Sequence, residues 1–132
     1  WQGFLDAVVP TLRDEFPDAL ILAGTEATIC GDAVEIKGDH AAREETSFGM
    51  ALFPELVALD ALTTGRDDSA WPGSQPPPAD RRHPKVEFDP SAPLFAQMGE
   101  DARKASAEHG EKGIAQVVDH LSRTINDYLN NP

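Results

Sequence analysis

The fold of this chain depends on residues 38–47, Gly-Asp-His-Ala-Ala-Arg-Glu-Glu-Thr-Ser, and on the apolar segment 48–57 that follows, Phe-Gly-Met-Ala-Leu-Phe-Pro-Glu-Leu-Val. The first segment is a polar loop that carries an imidazole and carboxylates. The second predicts a helix from about Glu44 to about Phe53, because the residue before Pro54 is disfavoured in helical conformation. A loop that enters a helix N-terminus is a suitable place for a reactive histidine and a metal-binding carboxylate.

Composition indicates one small globular domain. The chain has 132 residues, of which 40% are hydrophobic and 26% charged, and this suits a single domain with a modest core. Its net charge of −12 repels phosphate backbones and anionic lipids, so we expect neither nucleic-acid nor membrane binding. No apolar run approaches the roughly 20 residues of a membrane helix. The single cysteine, Cys30, excludes an intrachain disulfide and fits a reducing compartment, so we expect a cytoplasmic protein.

The first third of the chain has the pattern of an α/β protein. Apolar residues spaced three and four apart predict an amphipathic helix over about residues 2–16, kinked or split at Pro10. The short apolar run at residues 19–24 predicts a buried parallel strand, and residues 33–36 are a second candidate strand. A helix followed by a buried strand indicates a parallel sheet flanked by helices, so the predicted fold class is α/β.

Residues 64–95 differ from the rest of the chain because they hold most of its prolines and have little periodicity. We predict an extended Pro-rich arm here. One interpretation is a connector between elements. The other is an arm that contacts a neighbouring subunit or rims a pocket, anchored by Trp71, Arg81, Arg82 and His83. In the second interpretation the indole of Trp71 contacts a substrate.

The clearest helical pattern lies near the C-terminus. One apolar stripe predicts a helix over about residues 107–129, with Ser106 as its N-cap and Glu108 in its first turn. At about 1.5 Å per residue, this helix spans roughly 35 Å. The stripe consists of Ile114, Val117, Val118, Leu121, Ile125 and Tyr128.

Polar side chains around the start of the predicted second helix form a candidate site. Asp39 precedes His40 and can fix its tautomer, and Glu45 sits where a helix N-terminus offers free amides. An ionised carboxylate beside a neutral imidazole suits Zn²⁺ or Mn²⁺. The alternative is structural: Glu45 only complements the helix dipole, and Thr46 or Ser47 only caps the helix. The spacing of these residues does not separate the two interpretations.

This loop and helix resemble a known enzyme family. Their pattern, G-D-H-A-x-x-x-E-T-S followed by x-x-M-A-L-x-P-E-L-V, is similar to a block of the creatininase family of metal-dependent amidohydrolases. Residues 19–24 and residues 105–110, Ala-Ser-Ala-Glu-His-Gly, resemble further stretches of that family in the same order. The resemblance implies a creatininase-like α/β fold and a site with two divalent metals, Zn, Mn or Fe. It also implies hydrolysis of an amide C–N bond of a small molecule by metal-activated water.

The resemblance also implies roles for individual residues. His40 would act in proton transfer over the substrate, and Asp39 would be the acidic residue that assists it. Glu45 would bind or support the metals. Thr46 and Ser47 would belong to the same turn, where we expect them to cap the helix.

Motifs that supply most metal ligands in the family's N-terminal half do not occur in this sequence, which has no E-x-H-G strand end and no G-H turn. We therefore expect residues 1–132 to be the C-terminal half of one creatininase-like domain. The N-terminal half would be a separate or cleaved chain, and the assembly would be a homo- or hetero-oligomer. The alternative is a non-catalytic scaffold or assembly subunit with a creatininase-like fold.

Overall fold

The computed structural model describes residues 2–62, 71 and 75–130. Four α-helices lie within these residues: α1 (Gln2–Glu15), α2 (Glu26–Cys30), α3 (Arg43–Leu52) and α4 (Ala107–Asn130). Single turns of 3-10 helix occur at Gly31–Ala33, Pro54–Leu56, Leu59–Ala61, Ala79–Arg81 and Ala102–Lys104. Residues 64–70 and 72–74 of the predicted arm lie outside the described part of the chain.

The three long helices predicted from periodicity are confirmed to within one residue at each end. α1 continues through Pro10 as one helix, so the predicted split does not occur. A proline removes one backbone donor, and the remaining hydrogen bonds keep the element continuous. The N-cap of α4 is also confirmed, because the Ser106 hydroxyl accepts a hydrogen bond from His109 N at 3.1 Å.

The chain divides into two compact units. The first contains the residues up to Lys37 together with those from Gly113 onward, and the second is residues 38–112. In the first unit, side chains of α4 hold two irregular segments: Gln116 Oε1 accepts from Glu35 N at 3.0 Å, and Tyr128 OH donates to Asp18 O at 2.6 Å. Its buried apolar side chains include Cys30, Val34 and Ile36.

The predicted parallel sheet is wrong, because the described residues contain no β-strand. Extended pairing in them is limited to isolated bridges, His40 with Met98 and Glu87 with Phe95. The α/β prediction, with its creatininase-like sheet, therefore does not hold for the part of the chain that the structure describes.

Residues 19–24 show why the strand prediction failed. A strand is stable only when a neighbouring strand takes up its backbone donors and acceptors. Here Ile21 O instead accepts a hydrogen bond from the Arg13 guanidinium at 3.2 Å, and Leu22 is 40% exposed. Residues 33–36 behave similarly, since Glu35 N bonds to a side chain. An apolar run specifies a tendency to be buried, and it does not specify a pairing partner.

In the second unit, α3 and the first turn of α4 meet at Ser47 and Gly110. Ser47 is fully buried; its hydroxyl donates to Arg43 O at 2.6 Å and accepts from Ser106 N at 3.2 Å. A Cβ on Gly110 would overlap the carbonyl of Ser47. The absence of a side chain at Gly110 therefore allows the two helices to approach, and this contact supports the loop that precedes α3.

Gly110→Ala is expected to lower the free energy of unfolding by about 1–3 kcal/mol, because the added methyl group overpacks the contact with Ser47. The matched control is Gly3→Ala in α1, where nothing lies within 4 Å of the added Cβ. That change is expected to stabilise the protein by up to about 1 kcal/mol, since it removes a glycine from a helix. Urea denaturation measures both. If the Gly110→Ala protein were as stable as the parent, Gly110 and Ser47 would not be in close contact.

Candidate active site

The loop before α3 is held by the side chain of Asp39. Its Oδ2 accepts a hydrogen bond from Glu44 N at 2.8 Å, and its Oδ1 accepts one from Glu45 N at 2.9 Å. These amides lie in the first turn of α3 and have no partner within the helix, so Asp39 acts as the cap. Thr46 and Ser47 lie inside α3, and the prediction that they cap it is wrong.

His40 is fixed through its backbone. His40 N donates to Met98 O at 3.0 Å, and Met98 N donates to His40 O at 2.9 Å. Gly99 has a φ of 139°, and a Cβ there would lie 2.8 Å from the Cβ of Asp39. Residues 98–100 are thus part of the site. The sequence analysis did not predict this, and Gly99 was the only residue there that indicated a special backbone position.

Glu100 connects this second segment to α3. Arg43 N donates to Glu100 O at 2.8 Å, and the Arg43 guanidinium bonds to its Oε2 at 2.7 Å. Lys104 Nζ donates to its Oε1 at 2.8 Å. Hydrogen bonds from Lys104 and Arg43 lower the pKa of Glu100 to about 2. The carboxylate is therefore ionised throughout the neutral range.

Glu45 and His40 face each other across a strained turn. Ala41 between them has a φ of 48°, a left-handed conformation that side chains disfavour, and its amide donates to Glu45 Oε2 at 2.5 Å. The same oxygen lies 3.8 Å from His40 Nδ1. That separation is too long for a hydrogen bond but lies within the distance of an ion pair.

A cavity of about 540 Å³ opens beside His40. Residues from the predicted Pro-rich arm, Trp71, Arg81 and His83, line it together with His40 and Asp39. The structure therefore brings Trp71, the predicted substrate contact, to the same cavity as the predicted proton-transfer residue. Glu45 is not among the lining residues and reaches the site through its contact with His40.

Comparison with known proteins identifies the family. A family model described as creatinine amidohydrolase, that of the creatininase family, matches residues 2–125. The chain belongs to the creatininase family. No curated protein and no solved structure matches it. Membership of the creatininase family implies hydrolase activity. Among the helices that the structure describes, none is long and apolar enough to cross a membrane.

Members of the creatininase family are typically metal-dependent, but the described residues do not by themselves fit a metal site. They contain no group of three or more His, Cys, Asp or Glu side chains that could hold an ion. His40 and Glu45 offer two donors, whereas both oxygens of Asp39 are bonded to helix amides. Protein sites for zinc normally take three or four protein ligands, so this pair is incomplete.

Asp39→Ala is expected to lower the free energy of unfolding by about 1–2 kcal/mol, because two amides of the first turn of α3 lose their acceptor. The control is Asp32→Ala, which removes an exposed carboxylate whose partner is Lys37 at 3.1 Å; a surface pair of this kind is worth at most about 0.5–1 kcal/mol. Thermal and urea unfolding measure both variants. Equal losses would mean that Asp39 does not cap α3.

Glu100→Gln is expected to lower the urea midpoint near neutral pH and to have no effect in strong acid. The folded-state pKa of Glu100, about 2, lies below its ordinary value of 4.5, so its ionised form stabilises the fold above about pH 4.5. That stability is lost as pH falls from about 4.5 to about 2. Midpoints of parent and variant measured across this window should converge. The control is Glu111→Gln, which changes an exposed carboxylate. If its urea midpoint converged with that of the parent in the same way, the pH-dependent stability could not be assigned to Glu100.

Proposed function

We propose that this chain works as part of a metal-dependent amidohydrolase that cleaves an amide C–N bond of a small molecule. The observation that supports it is the position of His40. This imidazole lies on the wall of a cavity, and the pairing with Met98 holds the backbone of His40 in place. A positioned imidazole in contact with a cavity is suited to proton transfer.

The chain's own residues would act as follows. Hydrolysis adds water across the C–N bond: the carbonyl carbon gains an oxygen, and the departing nitrogen gains a proton. His40 takes up the proton that the water loses and delivers it to the nitrogen. Glu45, 3.8 Å from His40 Nδ1, stabilises the imidazolium in the interval. Asp39 positions both residues by holding the first turn of α3.

The complete enzyme would use divalent metals, Zn, Mn or Fe, as cofactors. Since the described residues contain no group of three or more possible ligands, the ligands besides His40 and Glu45 would come from residues outside the described part, on an N-terminal half present as a separate or cleaved chain. The complete enzyme would be an oligomer that acts on a small molecule. We also infer a cytoplasmic location, which the buried free thiol of Cys30 fits.

A second candidate is a non-catalytic scaffold or assembly subunit. It is supported by the apolar side chains at the end of α3, where Leu52 and Phe53 are each 53% exposed and Leu56 is 76% exposed. Exposed apolar side chains close together often mark a protein interface. A subunit of this kind would need the fold and this surface, but not the chemistry of His40.

His40→Gln and Glu45→Gln separate the two candidates. Denaturing mass spectrometry of natively purified protein first establishes whether a second polypeptide co-purifies. Turnover is then measured on that assembly with a panel of small linear and cyclic amides that includes creatinine. For an enzyme, His40→Gln is expected to lower kcat by about 10²–10⁴-fold, the usual effect of losing a general acid–base. The control is His120→Gln, which changes a histidine of α4 outside the cavity.

Assembly and secondary structure should be unchanged in all three variants. If His40→Gln and Glu45→Gln assemble normally and turn over at the parent rate, the catalytic proposal fails and the scaffold stands. If His120→Gln loses as much turnover as His40→Gln, the loss reflects general damage and gives no support to His40 as the proton carrier.

A further inference from the structure

The wall of the cavity beside His40 includes a positively charged side chain that has no partner in the described part of the chain. Arg81 lines this cavity, and its guanidinium makes no hydrogen bond or ion pair with another described residue. Every other arginine that the structure describes meets an oxygen acceptor: Arg13, Arg43, Arg82, Arg103 and Arg123. In a protein of net charge −12, a cavity-lining arginine that pairs with no carboxylate of the described residues is suited to an anionic ligand.

His83 adds a second donor to the same wall. Its Nδ1 accepts a hydrogen bond from Lys85 N at 3.3 Å, so in the neutral ring the hydrogen is on Nε2. Among the described residues that line this cavity, Asp39 is the one carboxylate, and both of its oxygens accept amides at the start of α3. The polar groups left for a ligand at Arg81 and His83 are therefore donors, as a carboxylate requires.

Aromatic rings form another part of the cavity wall. Trp71 stacks on Phe88 with 5.8 Å between centroids and 14° between planes, and it meets Phe95 edge-on at 4.9 Å. The Arg82 guanidinium lies 5.6 Å from the Phe88 centroid and donates to Pro77 O at 2.8 Å. These contacts hold Trp71 and Phe88 as a fixed aromatic section of the cavity wall, which favours an apolar, planar group on the ligand.

We propose that this cavity binds a small molecule that combines a planar group with a carboxylate. The carboxylate pairs with Arg81 and His83, and the planar group lies against Trp71 and Phe88. The volume of about 540 Å³ suits such a ligand. This inference rests on the proposed function only in placing the scissile amide at His40; binding itself requires no turnover. The substrate class is thus an aromatic or conjugated amide that carries a carboxylate.

The test measures binding with two matched probes, N-benzoylglycine and its uncharged amide, N-benzoylglycinamide. The sequence has two tryptophans, so Trp1→Phe leaves Trp71 as the only indole, and quenching of its fluorescence reports the occupied cavity. The charged probe is expected to bind about tenfold more tightly than the neutral one, the effect of one charge-assisted contact. Arg81→Gln should remove this preference and leave binding of the neutral probe unchanged.

Lys85→Gln is the matched control. It removes one positive charge two residues from His83 without removing a side chain that lines the cavity, and the preference for the charged probe should persist. The inference is overturned if neither probe quenches Trp71, if both bind equally, or if Arg81→Gln and Lys85→Gln weaken binding alike. In a His40→Gln protein, lost turnover with retained binding supports both proposals. Retained turnover there counts against the proposed function alone.

Discussion

The carboxylate of Asp39 is the interaction on which the rest of the site depends. It takes up two amides that α3 cannot satisfy internally, and it thereby determines how the loop enters the helix. His40 and Glu45 stand on either side of that entry, so their 3.8 Å separation follows from the cap. The strained Ala41 is tolerated because Glu45 accepts its amide.

Three long-range contacts support this cap. Met98 pairs with the backbone of His40, and Glu100 bonds to the backbone and side chain of Arg43. Ser47 also packs in a buried position against the glycine at the start of α4. The block that resembles the creatininase family therefore has structural roles: its aspartate caps α3 and its serine packs against α4, while the histidine and glutamate proposed for the chemistry remain exposed.

Family membership and geometry contribute different information about function. The family match, over residues 2–125, implies hydrolase activity, while the geometry shows which residues share a cavity. Two metal donors among the described residues are too few for a site, so the proposed chemistry depends on ligands from elsewhere. The Pro-rich arm lies within the matched residues but outside the motifs that carry the resemblance, and its residues Trp71 and Arg81 line the cavity next to His40. In the proposed function, the arm would select the substrate, and His40 in residues 38–47 would transfer the proton.

The sequence by itself determined the long helices and the family. Periodicity, the proline after α3 and the serine before α4 are local signals, and helices form from local hydrogen bonds. It also placed His40 and Glu45 in one loop, because they are neighbours in the chain. Only the tertiary structure decided that residues 19–24 form no strand, that Asp39 rather than Ser47 caps α3, and that residues 98–100 hold His40. Each of these depends on which distant residue supplies a backbone partner, and a local pattern of polar and apolar residues does not encode that choice.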